Sequence, residues 1–153
     1  LIVSTFVCPT ELTAFSDKTA EFKQLNAQVL GISVDSEYSH LAWSKQPRQE
    51  GGLHPMQLPL IADLDKSIAR NYGVLQDEQV ALRGLFIIDP QGIVRHALVN
   101  DLGIGRSVEE CLRILKAIQF HDEHGEVCPA NWIPGSKTMK ADPQGSQAFF
   151  KSQ

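Results

Sequence analysis

The chain has 153 residues, enough for one domain with a sizeable hydrophobic core. Its apolar and charged fractions, 42% and 21%, are those of an ordinary globular protein. A net charge of −4 without a basic stripe argues against a nucleic-acid partner, and no apolar run has the length of a membrane span.

Helical and extended patterns alternate along the chain, which predicts an α/β fold with helices on both faces of a sheet. Apolar residues at helical spacing indicate the helices, and short apolar runs indicate the strands. In chain order the first predicted elements are a helix from near Pro9 to Leu25, a strand over 29–34 and a helix with apolar positions Tyr38, Leu41 and Ala42, which ends at Pro47. An extended segment over 58–61 and a short helix over 65–72 follow. The last predicted elements are strands over 82–88 and 93–99 and a long helix that runs to about residue 121.

Capping residues and a glycine mark the ends of two of these helices. Asp35 or Ser36 can cap the second helix, because both side chains accept hydrogen bonds from free backbone N–H groups. Asp65 is the predicted cap of the short third helix, and Gly73 is well placed to terminate it.

The second half of the chain carries a hairpin, a long helix and a tail. Asp-Pro-Gln-Gly at 89–92 is a strong turn signal that joins two strands antiparallel. Ser107 and Glu110 form a capping box for the last helix. The polar sequence beyond it is rich in Pro, Gly, Ser and Lys, and we expect it to pack poorly on its own. We therefore divide the chain into a domain of residues 1–125 and a tail of residues 126–153.

The three cysteines, Cys8, Cys111 and Cys128, do not form a disulfide framework or a zinc motif, since they are sparse and far apart. His121 and His124 lie near Cys128, but a solvated helix end explains them at least as well as a metal site. We predict no metal and no cofactor. Cys111 falls on the apolar face of the last helix and is interpreted as a core residue.

Cys8 differs from the other two because a proline follows it at a predicted helix start. Proline is tolerated there because its missing N–H would have no partner in the first turn. The Cys8 thiol is therefore expected near exposed backbone N–H groups and the positive end of the helix dipole, which favour a thiolate. A small buried hydrophobe is the other interpretation, and the local residues alone leave both open.

Four segments occur in an order that one known family shares. They are TFVCPTE at 5–11, HLAW at 40–43, LRGLFIID at 82–89 and EVCPANW at 126–132. These segments resemble the alkyl hydroperoxide reductase/thiol-specific antioxidant (AhpC/TSA) family, and in particular its typical two-cysteine peroxiredoxins. The resemblance implies a thioredoxin-like fold with a central sheet, flanking helices and a C-terminal tail. It also implies an antioxidant thiol peroxidase that needs no bound cofactor.

The resemblance implies roles for the residues around Cys8. Cys8 matches the peroxidatic cysteine, which attacks a peroxide oxygen and becomes a sulfenic acid. Thr5 matches the threonine whose hydroxyl bonds the thiolate and holds the peroxide. Arg83 matches the arginine that stabilises the thiolate and the leaving oxygen. Glu11 is expected to orient Arg83.

Cys128 matches the resolving cysteine of the same family. There this residue attacks the sulfenic acid of the other subunit and forms an intersubunit disulfide, which thioredoxin reduces. The implied partners are a peroxide, thioredoxin or a similar thiol reductant, and a second copy of the chain in a homodimer, with a ring of dimers as an open alternative.

The start of the chain departs from the family pattern. Leu1 stands where the family usually has a proline, and residues 1–4 do not resemble it. We expect that the family's N-terminal strands and any targeting segment are missing, and we assign the protein to the cytoplasm with a plastid as the alternative. A different class of function also stays open, namely an inactive thioredoxin-like interaction module or holdase. A dithiol oxidoreductase is disfavoured because the chain has no Cys-x-x-Cys pair.

Overall fold

A computed structural model describes residues 8–151 apart from the side chain of Ala148. It contains the predicted helices and strands together with two short strands, over 75–76 and 80–81, and a final helix that the sequence analysis did not predict. The helices are α1 Cys8–Asp17, α2 Thr19–Gln24, α3 Glu37–Lys45, α4 Ser67–Asn71, α5 Val108–His124 and α6 Ser146–Phe150, with a 3₁₀ turn at Arg48–Glu50. The strands are β1 Gly31–Ser33, β2 Leu60–Ala62, β3 Leu75–Gln76, β4 Val80–Ala81, β5 Arg83–Ile88 and β6 Val94–Asn100. The described residues divide into two compact units, one up to Val108 and one from Glu109 onward. The division at 125/126 stays a prediction.

The strands of the described residues pair two by two. β1 and β2 are parallel, whereas β3 and β4 and then β5 and β6 are antiparallel. The β5–β6 hairpin is confirmed, and its turn closes on Asp89. The Asp89 side chain accepts from the N–H of Gln91 at 3.0 Å and of Ile93 at 2.9 Å, while Gly92 adopts a φ of +82°. These bonds explain why the turn sequence joins the two strands.

The predicted first helix is present as α1 and α2. The four residues Leu12, Phe15, Thr19 and Phe22 are buried, so the two helices share one buried face, and Leu25 at its end is half-buried. The chain tightens between the two helices at Lys18, whose N–H donates to the carbonyl of Phe15 at 3.2 Å. This three-residue spacing is that of a 3₁₀ turn and interrupts the α-helical hydrogen bonds.

Helix α3 begins at its predicted cap but buries a different face. Ser36 accepts from the N–H of Ser39 at 3.2 Å, as a capping serine does. The predicted apolar face is wrong, because Tyr38 is 76% and Leu41 52% exposed, and Ala42 is exposed as well. The buried residue is His40. In so short a helix the spacing of apolar residues shows which side chains share a face but not which face is buried. Packing of the helix against β2 decides which face is buried.

The predicted cap of α4 is also corrected. Asp63 is buried and accepts from the N–H groups of Ile68 at 3.0 Å and Ala69 at 2.8 Å. Asp65 accepts from the N–H of Ser67 at 3.2 Å but stays exposed. The first turn of the helix therefore depends on the earlier carboxylate, because the chain folds back over two additional residues before the helix begins.

The tail packs more closely than its composition predicts. Helix α5 is confirmed and ends at His124, and Trp132 of the tail is buried with its ring 5.1 Å from that of Phe120. Val127 and Met139 pair as an antiparallel bridge. One large aromatic side chain thus supplies the apolar contact that the polar segment lacks.

The two carboxylates before α4 give a matched test. Asp63→Ala should lower the free energy of unfolding by about 1–2 kcal/mol, because one buried and one partly buried N–H group lose their acceptor. Asp65→Ala should cost less, since its side chain is exposed to water. Urea unfolding of both variants measures the difference, and equal losses would contradict the assignment of Asp63 as the cap.

Candidate active site

Cys8 is the first residue of α1, and its thiol is buried. The proline after it occupies the first helical turn, as predicted. The Sγ atom of Cys8 accepts a hydrogen bond from Nη1 of Arg83 at 3.0 Å. A guanidinium at this distance stabilises a thiolate more than a neutral thiol.

Arg83 reaches Cys8 from the start of β5. Its Nη1 donates both to Cys8 and to Oε2 of Glu11 at 2.8 Å, while its Nε donates to the carbonyl of Leu102 at 2.7 Å. The guanidinium is thus tied on two sides by the hairpin end and by α1. The predicted contact between Arg83 and Cys8 is present in the structure.

Glu11 lies one helical turn after Cys8, so both side chains leave α1 on the same face. The carboxylate bonds Arg83, as expected for a residue that orients it. It also accepts three hydrogen bonds from Arg106. The backbone N–H and the Nε of Arg106 donate to Oε1 at 2.6 Å and 2.8 Å, and its Nη2 donates to Oε2 at 2.9 Å.

Arg106 is a site residue that the sequence analysis missed. Besides its bonds to Glu11, it donates from Nη1 to the carbonyl of Gly84 at 2.7 Å. It follows a glycine-containing loop and precedes the polar Ser107, a setting typical of an exposed arginine. No local pattern marks it as buried; only the three-dimensional convergence on Glu11 does so.

The site is an almost fully buried cluster of charged groups. The exposed fractions are 1% for Cys8, 4% for Glu11, 1% for Arg83 and 5% for Arg106. Burial alone raises the pKa of Glu11, but the hydrogen bonds and charge of Arg106, together with the charge of Arg83, hold that pKa below its usual value. Among these four side chains the ionised Glu11 balances one of two guanidinium charges. A thiolate at Cys8 would balance the other.

The remaining predicted site residues lie elsewhere. Thr5 falls outside the described residues. Cys128 belongs to the unit of residues 109–153, where its Sγ donates to the carbonyl of Ala117 at 3.7 Å. Cys111 is buried in α5, as predicted for a core residue, and burial together with the nearby Glu110 raises its pKa to about 11. The Cys111 thiol is therefore protonated at neutral pH.

Within residues 8–151, no cluster of three or more His, Cys, Asp or Glu side chains is arranged to hold a metal ion. The ring Nδ1 atoms of His121 and His124 instead lie 2.9 Å and 3.0 Å from the carbonyls of Glu126 and Phe120. Over the same part of the chain, no helix is long and apolar enough to cross a membrane.

Comparison with known families agrees with the geometry around Cys8. Residues 3–97 match the AhpC/TSA family, and residues 117–152 match the C-terminal domain of 1-Cys peroxiredoxin. The chain belongs to the AhpC/TSA family of peroxiredoxins. The family predicted from the sequence segments is thereby confirmed.

Named relatives and a solved structure are similar over most of this peroxiredoxin. It is 56% identical to peroxiredoxin-2 of Bos taurus over 147 residues, which are 95% of this chain and 74% of that protein. It is 58% identical to a thioredoxin peroxidase of Trypanosoma brucei rhodesiense over 149 residues, 97% of this chain and 75% of the relative. The crystal structure of reduced 2-Cys peroxiredoxin from Plasmodium vivax is similar with a TM-score of 0.94 and 48% identity, covering 96% of this chain and 76% of that one. The predicted thioredoxin-like α/β fold is confirmed.

The charge cluster predicts a specific response to Glu11→Gln. The variant leaves two buried guanidiniums without their carboxylate, so we expect a loss of about 3–5 kcal/mol in the free energy of unfolding at neutral pH. Because folding lowers the Glu11 pKa from its ordinary 4.5, its stabilisation is present above about pH 4.5 and is lost as the pH falls through the folded-state value.

Urea unfolding over a pH series tests this expectation. The parent should lose stability below about pH 4.5 more steeply than Glu11→Gln, which has no carboxylate to protonate at this position. Glu78→Gln is the control, because it removes an exposed carboxylate paired with Arg70 at 2.6 Å. If both variants behave alike, the buried cluster does not depend on Glu11.

Proposed function

We propose that this chain is a thiol-dependent peroxidase that reduces hydrogen peroxide and organic hydroperoxides through a sulfenic acid at Cys8. The observation that carries the proposal is the buried contact of 3.0 Å between Arg83 Nη1 and Cys8 Sγ at the start of α1. A cation and a helix N-terminus beside one thiol favour the nucleophilic thiolate. Membership of the AhpC/TSA family supports the same chemistry.

In the first step the Cys8 thiolate attacks one peroxide oxygen. The S–O bond forms as the O–O bond breaks, and the leaving oxygen takes up a proton to become water or an alcohol. The sulfur loses two electrons, which the peroxide gains. Arg83 stabilises the thiolate and the charge that develops on the leaving oxygen. Thr5 is proposed to hold the peroxide through its hydroxyl.

Glu11 and Arg106 act on this step through Arg83. Their hydrogen bonds fix the guanidinium before the peroxide arrives, so little reorganisation is needed during the reaction. They are positioning residues, since Arg106 bonds Glu11 and Glu11 in turn bonds Arg83.

We further propose that Cys128 of the partner subunit resolves the sulfenic acid. Its thiolate attacks the Cys8 sulfur, the S–S bond forms, the S–O bond breaks, and hydroxide leaves and becomes water. The high pKa of Cys111 makes that thiol a poor alternative. Thioredoxin or a similar thiol supplies the two electrons that reduce the disulfide, a proposal supported by relatives named thioredoxin peroxidase and thioredoxin-dependent peroxide reductase. Intersubunit resolution requires a homodimer, and a ring of dimers stays an open alternative.

The enzyme is favoured over the inactive interaction module or holdase. Burying two guanidiniums near a cysteine is costly because both charges lose their contact with water. A binding module would have no need of this arrangement. The compartment is assigned only as a proposal. We place the protein in the cytoplasm, while relatives from Chattonella marina var. antiqua and Mus musculus are named chloroplastic and mitochondrial.

The three cysteines should respond differently to replacement by serine. Cys8→Ser should abolish peroxide consumption, and Cys128→Ser should keep the first oxidation but lose thioredoxin-linked turnover. Cys111→Ser is the control and should keep normal turnover. The measurements are peroxide consumption coupled to thioredoxin oxidation and a non-reducing gel, on which a dimer should form after one equivalent of peroxide and be absent in Cys128→Ser. Normal turnover of Cys8→Ser would refute the assignment.

Arg83→Met should slow the first oxidation by roughly 100-fold or more, in the range seen when one transition-state donor is removed. The rate should stay low in strongly alkaline buffer, where any thiol is ionised, because Arg83 also stabilises the leaving oxygen. Arg83→Lys should recover little, since it loses the planar fork. Arg70→Met, which removes an exposed cation, is the control. If the rate of Arg83→Met recovered fully at high pH, the role of Arg83 would be only to favour the thiolate, and its proposed role in stabilising the leaving oxygen would be wrong.

A further inference from the structure

The segment that carries Cys128 is held against α5 by several contacts within the second unit. Cys128 Sγ donates to the carbonyl of Ala117 at 3.7 Å, and the buried Trp132 packs its ring on Phe120. Val127 and Met139 pair through their backbones as an antiparallel bridge. The thiol is therefore kept at a defined place on α5 rather than in a loose tail.

Arg113 lies one helical turn before Ala117, on the same side of α5. Its Nε and Nη2 form a fork to the carboxylate of Glu110 at 2.6 Å and 2.8 Å, and its Nη1 donates to the carbonyl of Trp132 at 2.9 Å. The last bond ties the guanidinium to the segment Cys128-Pro-Ala-Asn-Trp132 itself. The cation is thus fixed from both sides, beside the segment that carries the thiol.

We propose that Arg113 is a positioning residue for the second half of the reaction, whose fixed cation favours the Cys128 thiolate. The inference rests on the proposed role of Cys128 as the resolving cysteine. Only a thiolate attacks the Cys8 sulfenic acid, forming the S–S bond while the S–O bond breaks and hydroxide leaves as water.

The electrostatics of Cys128 agree with this geometry. Burial raises the pKa of Cys128, and the charge of Arg113 acts in the opposite direction. Glu110 offsets part of that charge because it pairs with Arg113. Of the other titratable groups nearby in the sequence, His121 contacts the carbonyl of Glu126, and the Glu126 carboxylate accepts from Thr138. Arg113 is therefore the charge whose removal should change the ionisation of Cys128.

The test measures how fast iodoacetamide alkylates Cys128 in the reduced full-length chain, with the site resolved by peptide mass spectrometry. Arg113→Met removes the cation and keeps most of the side-chain length, whereas Arg113→Lys keeps the cation and loses the fork. At pH 8 the Met variant should be alkylated roughly two- to fivefold more slowly than the parent, as for a partly exposed charge pair. The Lys variant should be close to the parent. The difference should shrink as the pH is raised further, because more of the thiol is ionised in each protein at higher pH.

Disulfide formation after one equivalent of peroxide should slow by a similar factor in Arg113→Met, while oxidation of Cys8 keeps its rate. Equal alkylation of parent and Met variant, or a difference that does not shrink as the pH is raised, would overturn the electrostatic role. Faster alkylation of the Met variant would overturn it as well, because Arg113 would then act as a clasp that hides the thiol. The proposed function fails separately, if Cys128→Ser keeps thioredoxin-linked turnover.

Discussion

The charge balance of two buried arginines is the constraint on which the site depends. Arg83 and Arg106 are almost wholly removed from water, and uncompensated buried charges cost several kcal/mol, an order-of-magnitude figure. Glu11 bonds both and is kept ionised by them, which accounts for one of the two positive charges. The Cys8 sulfur sits where a second negative charge would complete the balance. The same arrangement that stabilises the fold therefore favours the reactive form of the thiol.

The β5–β6 hairpin brings the two arginines to one place. Arg83 begins β5 and faces Asn100 at the end of β6, so the chain returns to the same end of the hairpin before it reaches Leu102 and Arg106. Helix α1 then presents Cys8 and Glu11 one turn apart to this end. Three local features, a helix start, a hairpin and one helical turn, are thus enough to assemble a site from residues nearly a hundred positions apart in sequence.

The sequence predicted the features that depend on local chemistry. The helix start at the cysteine before a proline and the hairpin turn at Asp89 were placed correctly, because each is decided by a few adjacent residues. For α3 the sequence offered two caps, Asp35 and Ser36, and Ser36 is the one used. Long-range packing decided the rest. His40 is buried because its face of α3 packs against β2, and Arg106 is buried because Glu11 of α1 meets it in the loop before α5. Neither outcome has a local signature.

The three thiols of the chain differ in what surrounds them, and this limits where oxidation can occur. Cys8 is beside a guanidinium, which supports a thiolate. Cys128 donates to a backbone carbonyl, and the charge of Arg113, which Glu110 partly offsets, acts against the effect of burial on its pKa. Its surroundings therefore favour the thiolate less than those of Cys8 do and more than those of Cys111 do. Cys111 has apolar neighbours on α5 and a pKa of about 11, and therefore keeps its proton. Because the thiolate is the reactive species, the proposed two-cysteine cycle is compatible with a chain that has three cysteines.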